Sequence, residues 1–328
     1  IQKSQKELEL TIALTNYCNF SCVYCYQNKN EKLMTTEVAN MIIEKIDRIL
    51  NDNIFEGINI HYFGGEPLLN IPVLIYLDEN IKKITDKIGI VYKAFLTTNG
   101  SMLSKELLQK VKFSSIQLTF DGLEKTHDRL RVSDHFHFKE EIELIENIMN
   151  FSQAKVLLRT NICKENKDEI IALHKYIFEK FGNERIEINP NRTIKYHQDD
   201  SFEMLSVQEY AEVAYQIKLL WSEQKGKFEL PVPRSTPCKF PYGNAYAISP
   251  EGYCTFCSGS MDQEKKYFFD VDIENKKMFS VRKECKKCNI LPLCLGGCII
   301  QYNLRAGACT YEKYELKNIL ISYIKHIS

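Results

Sequence analysis

No uninterrupted apolar run in this 328-residue chain approaches the ~20 residues that a membrane-spanning helix needs. An excess of charge of one sign is also missing: Lys+Arg and Asp+Glu number 43 each, so the formal net charge is zero. That balance gives no support for a surface that binds nucleic acid or an anionic membrane. The opening Ile1-Gln2-Lys3-Ser4-Gln5-Lys6-Glu7 is polar and has no secretory character. No repeat at solenoid spacing and no low-complexity tract is present. These omissions leave an ordinary globular protein, expected in the cytoplasm, with 44% hydrophobic and 26% charged residues. Its length suits two units rather than one. The chain opens on Ile1 rather than Met, so a leader-binding segment ahead of it would lie outside this reading.

What the chain does hold is cysteine, twelve in all. In a reducing compartment so many thiols read as metal ligands, and nothing signals export to a disulfide-forming one. Cys18, Cys22 and Cys25 crowd the start, eight more lie from Cys238 to Cys309, and Cys163 alone falls between. Thiolate groups of this kind suit zinc or iron–sulfur clusters over hard cations. The first three are spaced C-x3-C-x2-C. Zinc sites usually pair cysteines as C-x2-C with a second pair elsewhere, so a triad in one loop fits zinc poorly. Three thiolates ligate three irons of a four-iron cluster and leave the fourth to bind a substrate or cofactor, whereas electron-transfer clusters take four. Cys163 reads as a small buried hydrophobe.

Strands are expected at 8–14, 58–63, 91–97, 116–120, 156–160 and 185–188. Helical spacing separates them, clearest in Val38, Met41, Ile42, Ile46, Ile49 and Leu50, with Thr35 or Thr36 as cap. A further helix is expected over 167–181, ended by Gly182. The alternation predicts a parallel α/β layout, either an open doubly wound sheet or a partial barrel. Both place ligand sites beyond the carboxyl ends of their strands. There fall Gly64-Gly65-Glu66-Pro67, Thr97-Thr98-Asn99-Gly100, Thr119-Phe120-Asp121-Gly122, Arg159-Thr160-Asn161 and Glu187-Ile188-Asn189-Pro190. Several of these are also ordinary turn chemistry. A helix over 207–221 and then Pro231, Pro233 and Pro237 form a bridge. The expected units are therefore 1–195, a bridging helix and linker at 196–237, and a cysteine-rich unit at 238–328.

The cysteine loop, with Tyr24 before its last cysteine, and the order of the strand-end motifs closely resemble radical S-adenosylmethionine (radical SAM) enzymes. The resemblance implies a partial (β/α)6 TIM-like barrel in which Cys18, Cys22 and Cys25 hold a [4Fe-4S] cluster whose open iron chelates SAM. An electron from that cluster cleaves SAM to a 5′-deoxyadenosyl radical, which takes a substrate hydrogen. By the same resemblance Gly64, Gly65, Glu66 and Pro67 meet the SAM ammonium, and Asn99 and Asp121 lie near the ribose or substrate. Arg159, followed by Asn161, pairs with the SAM carboxylate, and Asn189 closes the strand where the adenine is contacted. His127, Asp128 and Arg131 match a stretch carried by peptide-modifying members and form either a polar network or a solvated loop. No catalytic proton transfer is assigned to any residue.

Farther on, Cys238 is followed by Gly252-x4-Cys257, then Cys285-x2-Cys288-x5-Cys294-x3-Cys298, then Cys309. This pattern resembles the SPASM extension of some radical SAM enzymes, a small domain with two auxiliary [4Fe-4S] clusters, making three in all. The resemblance gives Cys285, Cys288, Cys294 and Cys309 to an outer cluster, and Cys238, Cys257 and Cys298 to an inner one. C-x2-C pairs are also zinc signatures, so zinc ribbons remain open at this point. Cys254, at chelate spacing from Cys257, is taken as the fourth inner ligand, because an idle thiol beside a cluster is prone to oxidation. Without it the inner cluster keeps an open iron. The family resemblance implies a maturase that crosslinks a ribosomal precursor peptide through a thioether or C–C bond. Expected partners are the precursor with its leader, a leader-binding protein or upstream domain, and a flavodoxin or ferredoxin as reductant. Sulfatase-maturing oxidation of Cys or Ser ranks second, since Ser258-Gly259-Ser260 follows Cys257 where those members carry an Asp. Peptide epimerisation is a further alternative, and an Fe–S or Zn binding scaffold is the non-enzyme reading.

Overall fold

Alternating buried and half-exposed residues make Glu7–Ala13 the first strand, β1. It belongs to a computed structural model that describes residues 6–52, 55–182, 184–196, 201–228, 230–234, 238–242, 244–255, 257, 259, 266–271, 281–298 and 309–327. Five more parallel strands follow: β2 (Gly57–Phe63), β3 (Val91–Thr97), β4 (Phe113–Thr119), β5 (Lys155–Ile162) and β6 (Ile186–Arg192). They lie side by side in chain order. Parallel neighbours need crossover connections, and helices supply them. α1 (Thr36–Asp52), α2 (Ile71–Ile88) and α3 (Lys105–Lys110) fill the first three, α4 (Glu124–Leu130) and α5 (Phe138–Phe151) the fourth, and α6 (Ile170–Phe181) the fifth. Leu8, Ile12, Ile58, Leu77, Ile116, Ile145 and Ile177 are fully buried in the core between sheet and helices. All six strands therefore deliver their carboxyl ends to one edge.

Three departures from the expected elements have physical causes. β6 runs four residues farther, through Pro190, because it ends the row of parallel strands, where a missing N–H is tolerated. β4 begins three residues earlier because a register shift at Ala94/Phe95 lets Phe113 pair across to β3. α6 starts at Ile170 rather than 167 because Asn166 holds a turn ahead of it. The Asn166 side chain accepts from Cys163 N at 2.9 Å and donates to the Asp121 and Asn161 carbonyls at 2.8 and 2.9 Å.

The sheet continues past Pro237. β7 (Ala245–Ile248) pairs in parallel with Glu9–Ile12 on the free side of β1, and β8 (Tyr253–Thr255) and β9 (Lys266–Tyr267) add antiparallel strands. β6 and β9 are the two ends of this nine-stranded sheet. α7 (Val207–Lys225) opens on a Ser206/Glu209 capping box and closes on left-handed Gly226. It packs between α6 and the helix Glu312–Ile327. Among the described residues no helix is long and apolar enough to cross a membrane.

Candidate functional site

Beyond β1 the backbone keeps its pairing with β2 and then carries the cysteine loop. Leu14 N donates to Phe63 O at 2.9 Å, Gly65 N to Thr15 O at 2.9 Å, and Glu66 N to Tyr17 O at 2.8 Å. A Cβ on Gly65 would stand 2.1 Å from Tyr17 O, and one on Gly64, at φ +140°, 2.3 Å from Thr15 O. The two glycines are thus needed where the cysteine-loop backbone crosses the turn. On its other side the loop is tied down by Ser21 N to Val132 O at 2.8 Å and Val23 N to Leu130 O at 3.0 Å. Cys18, Cys22 and Cys25 are half-buried between these two seams. Burial pushes the Cys22 thiol up to about 11, with Arg131 opposing it, so binding a metal there must release a proton.

Two fully buried carboxylates brace this loop. Glu66 Oε1 accepts from Leu68 N at 3.0 Å and Thr98 Oγ1 at 2.7 Å, while Oε2 accepts from Asn99 N at 2.6 Å. Asn99 Nδ2 in turn donates to Asn19 Oδ1 at 2.8 Å and reaches Cys18 Sγ at 3.9 Å. Asp121 accepts from the Tyr24 hydroxyl and from Asn161 N, the latter at 2.7 Å. Burial raises both carboxyls above their usual range, against the pull of these donors. Pro67 opens a short 3-10 turn behind Glu66 and is itself buried.

Arg159 and Asn161 lie on β5, and Asn189 pairs beside Arg159 on β6. Arg159 Nε donates to Asn161 Oδ1 at 2.9 Å; burial lowers its pKa from the usual guanidinium value, Asp121 opposing. Asn189 Nδ2 donates to Gln117 Oε1 at 3.1 Å. The site therefore draws Gly64–Pro67, Asn99, Asp121, Arg159, Asn161 and Asn189 to one edge of the sheet. Three further residues escaped the sequence reading. Tyr26, immediately after Cys25, packs its ring 5.1 Å from that of Tyr196, and Gln27 Nε2 donates to Gly64 O at 2.9 Å. Adjacency to Cys25 was the available signal for Tyr26 and Gln27; Tyr196 had none.

The stretch after Asp121 is a helix rather than a solvated loop. His127 and Arg131 are 2% and 7% exposed, while Asp128 is only half-buried and accepts from Phe138 N at 2.9 Å. His127 Nδ1 accepts from Asp121 N at 3.4 Å, and its Nε2 stands 3.1 Å from Glu141 Oε2.

None of the twelve cysteines is joined to another by a disulfide. Cys238 is raised by burial first and then by its neighbours Cys298 and Cys257. Cys257 Sγ accepts from Gly259 N at 3.3 Å. Cys254 has a different setting: it pairs with Ile248, is 2% exposed and packs in the main core. Cys285, Cys288 and Cys294 lie along consecutive turns, with Cys288 N bonded to Cys285 O at 3.0 Å and Gly297 N to Cys294 O at 2.8 Å. Arg282 Nη2 reaches Cys285 Sγ at 3.7 Å. Cys298 and Cys309 are half-buried. Among the described residues no three such donors converge on one point. The donors in this segment are all cysteine thiolates, the ligand chemistry of iron–sulfur clusters.

A profile of the radical SAM superfamily matches residues 12–177. An uncharacterized protein of Methanocaldococcus jannaschii is 34% identical over 119 residues, 35% of this chain and 39% of that protein, so the chain spans well under two thirds of that relative. The radical SAM cyclopropyl synthase TigE of Paramaledivibacter caminithermalis is 23% identical over 366 aligned positions, covering 98% of this chain and 75% of TigE. Among solved structures, anSMEcpe with bound AdoMet superposes with a TM-score of 0.73 at 18% identity, over 98% of this chain and 100% of its own. Streptococcus suis SuiB bound to precursor peptide SuiA gives 0.63 at 18% identity, over 91% and 73%. Both structural likenesses are likenesses of fold.

Proposed function

The chain belongs to the radical SAM superfamily, and on that premise we propose that it is a maturase of a ribosomal precursor peptide. The observation that carries the reading is the seating of Cys18, Cys22 and Cys25 on the carboxyl edge of six parallel strands, stitched to the ends of β2, β3 and β4. Those three cysteines would hold a four-iron cluster with one iron left for SAM. When bound, the cluster supplies the electron that opens SAM, and SAM supplies the hydrogen-abstracting radical. The chain's own residues then bind and orient. Gly64 and Gly65 hold the loop close, and Glu66 locks Asn99 against it. Asp121 fixes Tyr24 beside Cys25, and Arg159 offers a planar fork suited to the SAM carboxylate. Asn161 and Asn189 complete the polar edge, and burial keeps water from the reacting groups.

Cys285, Cys288, Cys294 and Cys309 would hold an outer cluster, and Cys238, Cys257 and Cys298 an inner one, making three. Cys254 would have to turn out of the core to close the inner cluster, which favours an inner cluster with one open iron. The proposed product is a thioether or C–C crosslink, made with a flavodoxin or ferredoxin as reductant. A relative named as a cyclopropyl synthase, aligned along 98% of this chain, supports a bond-forming reaction. Oxidation of a single Cys or Ser is the second reading, and the fold neighbour anSMEcpe is also solved with AdoMet and a peptide named Cp18Cys.

Anaerobic reconstitution tests the proposal. About three clusters are expected from the ligand sets, with 5′-deoxyadenosine formed from SAM and dithionite. Cys22→Ala should abolish that product and keep the C-terminal iron. Zinc-loaded protein that forms no 5′-deoxyadenosine would overturn the reading. Mass spectrometry of a candidate precursor peptide encoded beside this chain's gene, after co-expression, separates a crosslink, which loses a pair of hydrogens, from epimerisation, which leaves the mass unchanged.

A further inference from the structure

Arg131 directly follows α4 and is almost wholly buried. Its Nη1 donates to Cys22 Sγ at 3.9 Å, and its guanidinium carbon stands 5.3 Å from the centre of the Phe20 ring. Its Nε has no hydrogen-bond partner among the described residues. Glu141 is fully buried in the same region, and neither of its carboxylate oxygens makes an aligned hydrogen bond, although His127 Nε2 lies 3.1 Å from one of them. An ion pair selected for stability would close the Arg131 fork on a carboxylate, because buried charges are costly unless paired and fully hydrogen-bonded. Here one arm of the fork is spent on a cysteine sulfur instead. A guanidinium is protonated throughout the working pH range, so Arg131 brings a permanent positive charge to Cys22.

We propose that Arg131 sets the reduction potential of the cluster held by Cys18, Cys22 and Cys25, an inference that rests on the radical SAM reading. Reduction adds one negative charge to the cluster. A fixed cation one hydrogen bond from a ligating sulfur stabilises the reduced form over the oxidised one, and low dielectric leaves that attraction poorly screened. Net charge and hydrogen bonds to sulfur are the recognised controls on such potentials. The buried carboxylates Glu66, Asp121 and Glu141 act in the opposite direction, and Arg131 is the cation that touches Cys22. Arg131 is a positioning residue: it meets a ligand of the cluster, not SAM or substrate.

The test is a potentiometric EPR titration of the full, anaerobically reconstituted chain and its R131Q and R131K variants, with iron content measured in each. The relevant signal is the one lost in Cys22→Ala, so the readout does not depend on SAM cleavage and survives a failure of the functional reading. In R131Q with full iron, the ratio of reduced to oxidised cluster at a fixed potential should fall about tenfold, a midpoint lower by about 59 mV for one electron. R131K keeps the charge but sets it farther from Cys22, and should fall about threefold. An unchanged R131Q midpoint overturns the proposal, as does an equal shift in both variants, which would make shape rather than charge the cause. If R131Q fails to hold iron, the neutral R131M variant decides: a tenfold fall supports the proposal and an unchanged midpoint overturns it.

Discussion

Replacing Gly65 with Ala adds a single methyl group, yet the structure predicts a severe loss of function. The new Cβ would lie 2.1 Å from Tyr17 O, 2.5 Å from Tyr17 C and 3.0 Å from Asn16 O, where ordinary contact begins at 3.4 Å. All three neighbours are backbone atoms, so no rotamer change relieves the clash. The Tyr17 carbonyl must retreat by more than 1 Å (about the gap between those distances), and it is joined directly to Cys18. The retreat also strains the bond from Glu66 N to Tyr17 O. Overpacking of this kind costs about 1–3 kcal/mol. A misplacement of ~1 Å at a reacting centre costs on the order of 10²-fold in rate. The assay is the initial rate of 5′-deoxyadenosine formation at matched iron content, beside a denaturation curve. Gly89→Ala is the control: it sits at φ +83° at the end of α2 with nothing within 4 Å of its Cβ. It should lose about 1–2 kcal/mol to left-handed strain and keep the wild-type rate per iron. A Gly65→Ala enzyme with wild-type rate and iron would refute the claim that the glycine pair exists to admit the cysteine loop.

Tyr24→Phe removes the donor to Asp121 and should cost about 1–3 kcal/mol, read from a urea midpoint, with a lower rate of SAM cleavage; an unchanged midpoint would sink it. Arg159→Lys keeps the charge but not the fork, so SAM affinity measured by equilibrium dialysis should fall about tenfold, roughly 1.4 kcal/mol; unchanged affinity removes Arg159 from the site. His174 predicts a pH dependence. It is buried, with its Nδ1 accepting from Trp221 Nε1 at 3.1 Å and its Nε2 facing Thr160 Oγ1 at 3.2 Å, and burial lowers its pKa to about 3. The unfolded chain therefore takes up a proton that the folded one refuses. Stability is present above an unfolded value of about 6.5 and falls by up to ~1.4 kcal/mol per pH unit below it, toward the folded pKa. Urea midpoints between pH 7.5 and 5.5 should carry this slope, and His174→Gln should lose it.

Much of the fold follows from local pattern. The expected strand at 91–97 coincides with β3, and α1 begins at the expected cap, because period and capping are short-range properties. Pairings across the chain were not legible. Tyr24 meets Asp121, and Arg131 meets Cys22 from more than a hundred positions away. No spacing encodes such contacts. The same limit applies to Glu66: the motif drew attention to the residue, but only the packed structure reveals that Thr98, Asn99 and Leu68 already occupy its carboxylate. For Cys254, C-x2-C spacing suggested a chelate. The inward face of β8 is set by pairing with Ile248, a strand-level fact invisible to cysteine counting.

The position of β7 has a consequence for how the chain is made. Among the strands of this sheet β1 is made before all the others, but one of its two flanks is filled only by Ala245–Ile248, more than two hundred residues later. Until then an apolar strand presents an open hydrogen-bonding edge, the feature that invites pairing with another chain. Contacts closed over such a separation also form slowly. A protein cut before β7 should therefore aggregate rather than persist as a smaller sheet. Nascent chains depend on speed or on chaperones to protect β1, and the cysteine-rich segment doubles as the intramolecular guard of the first strand.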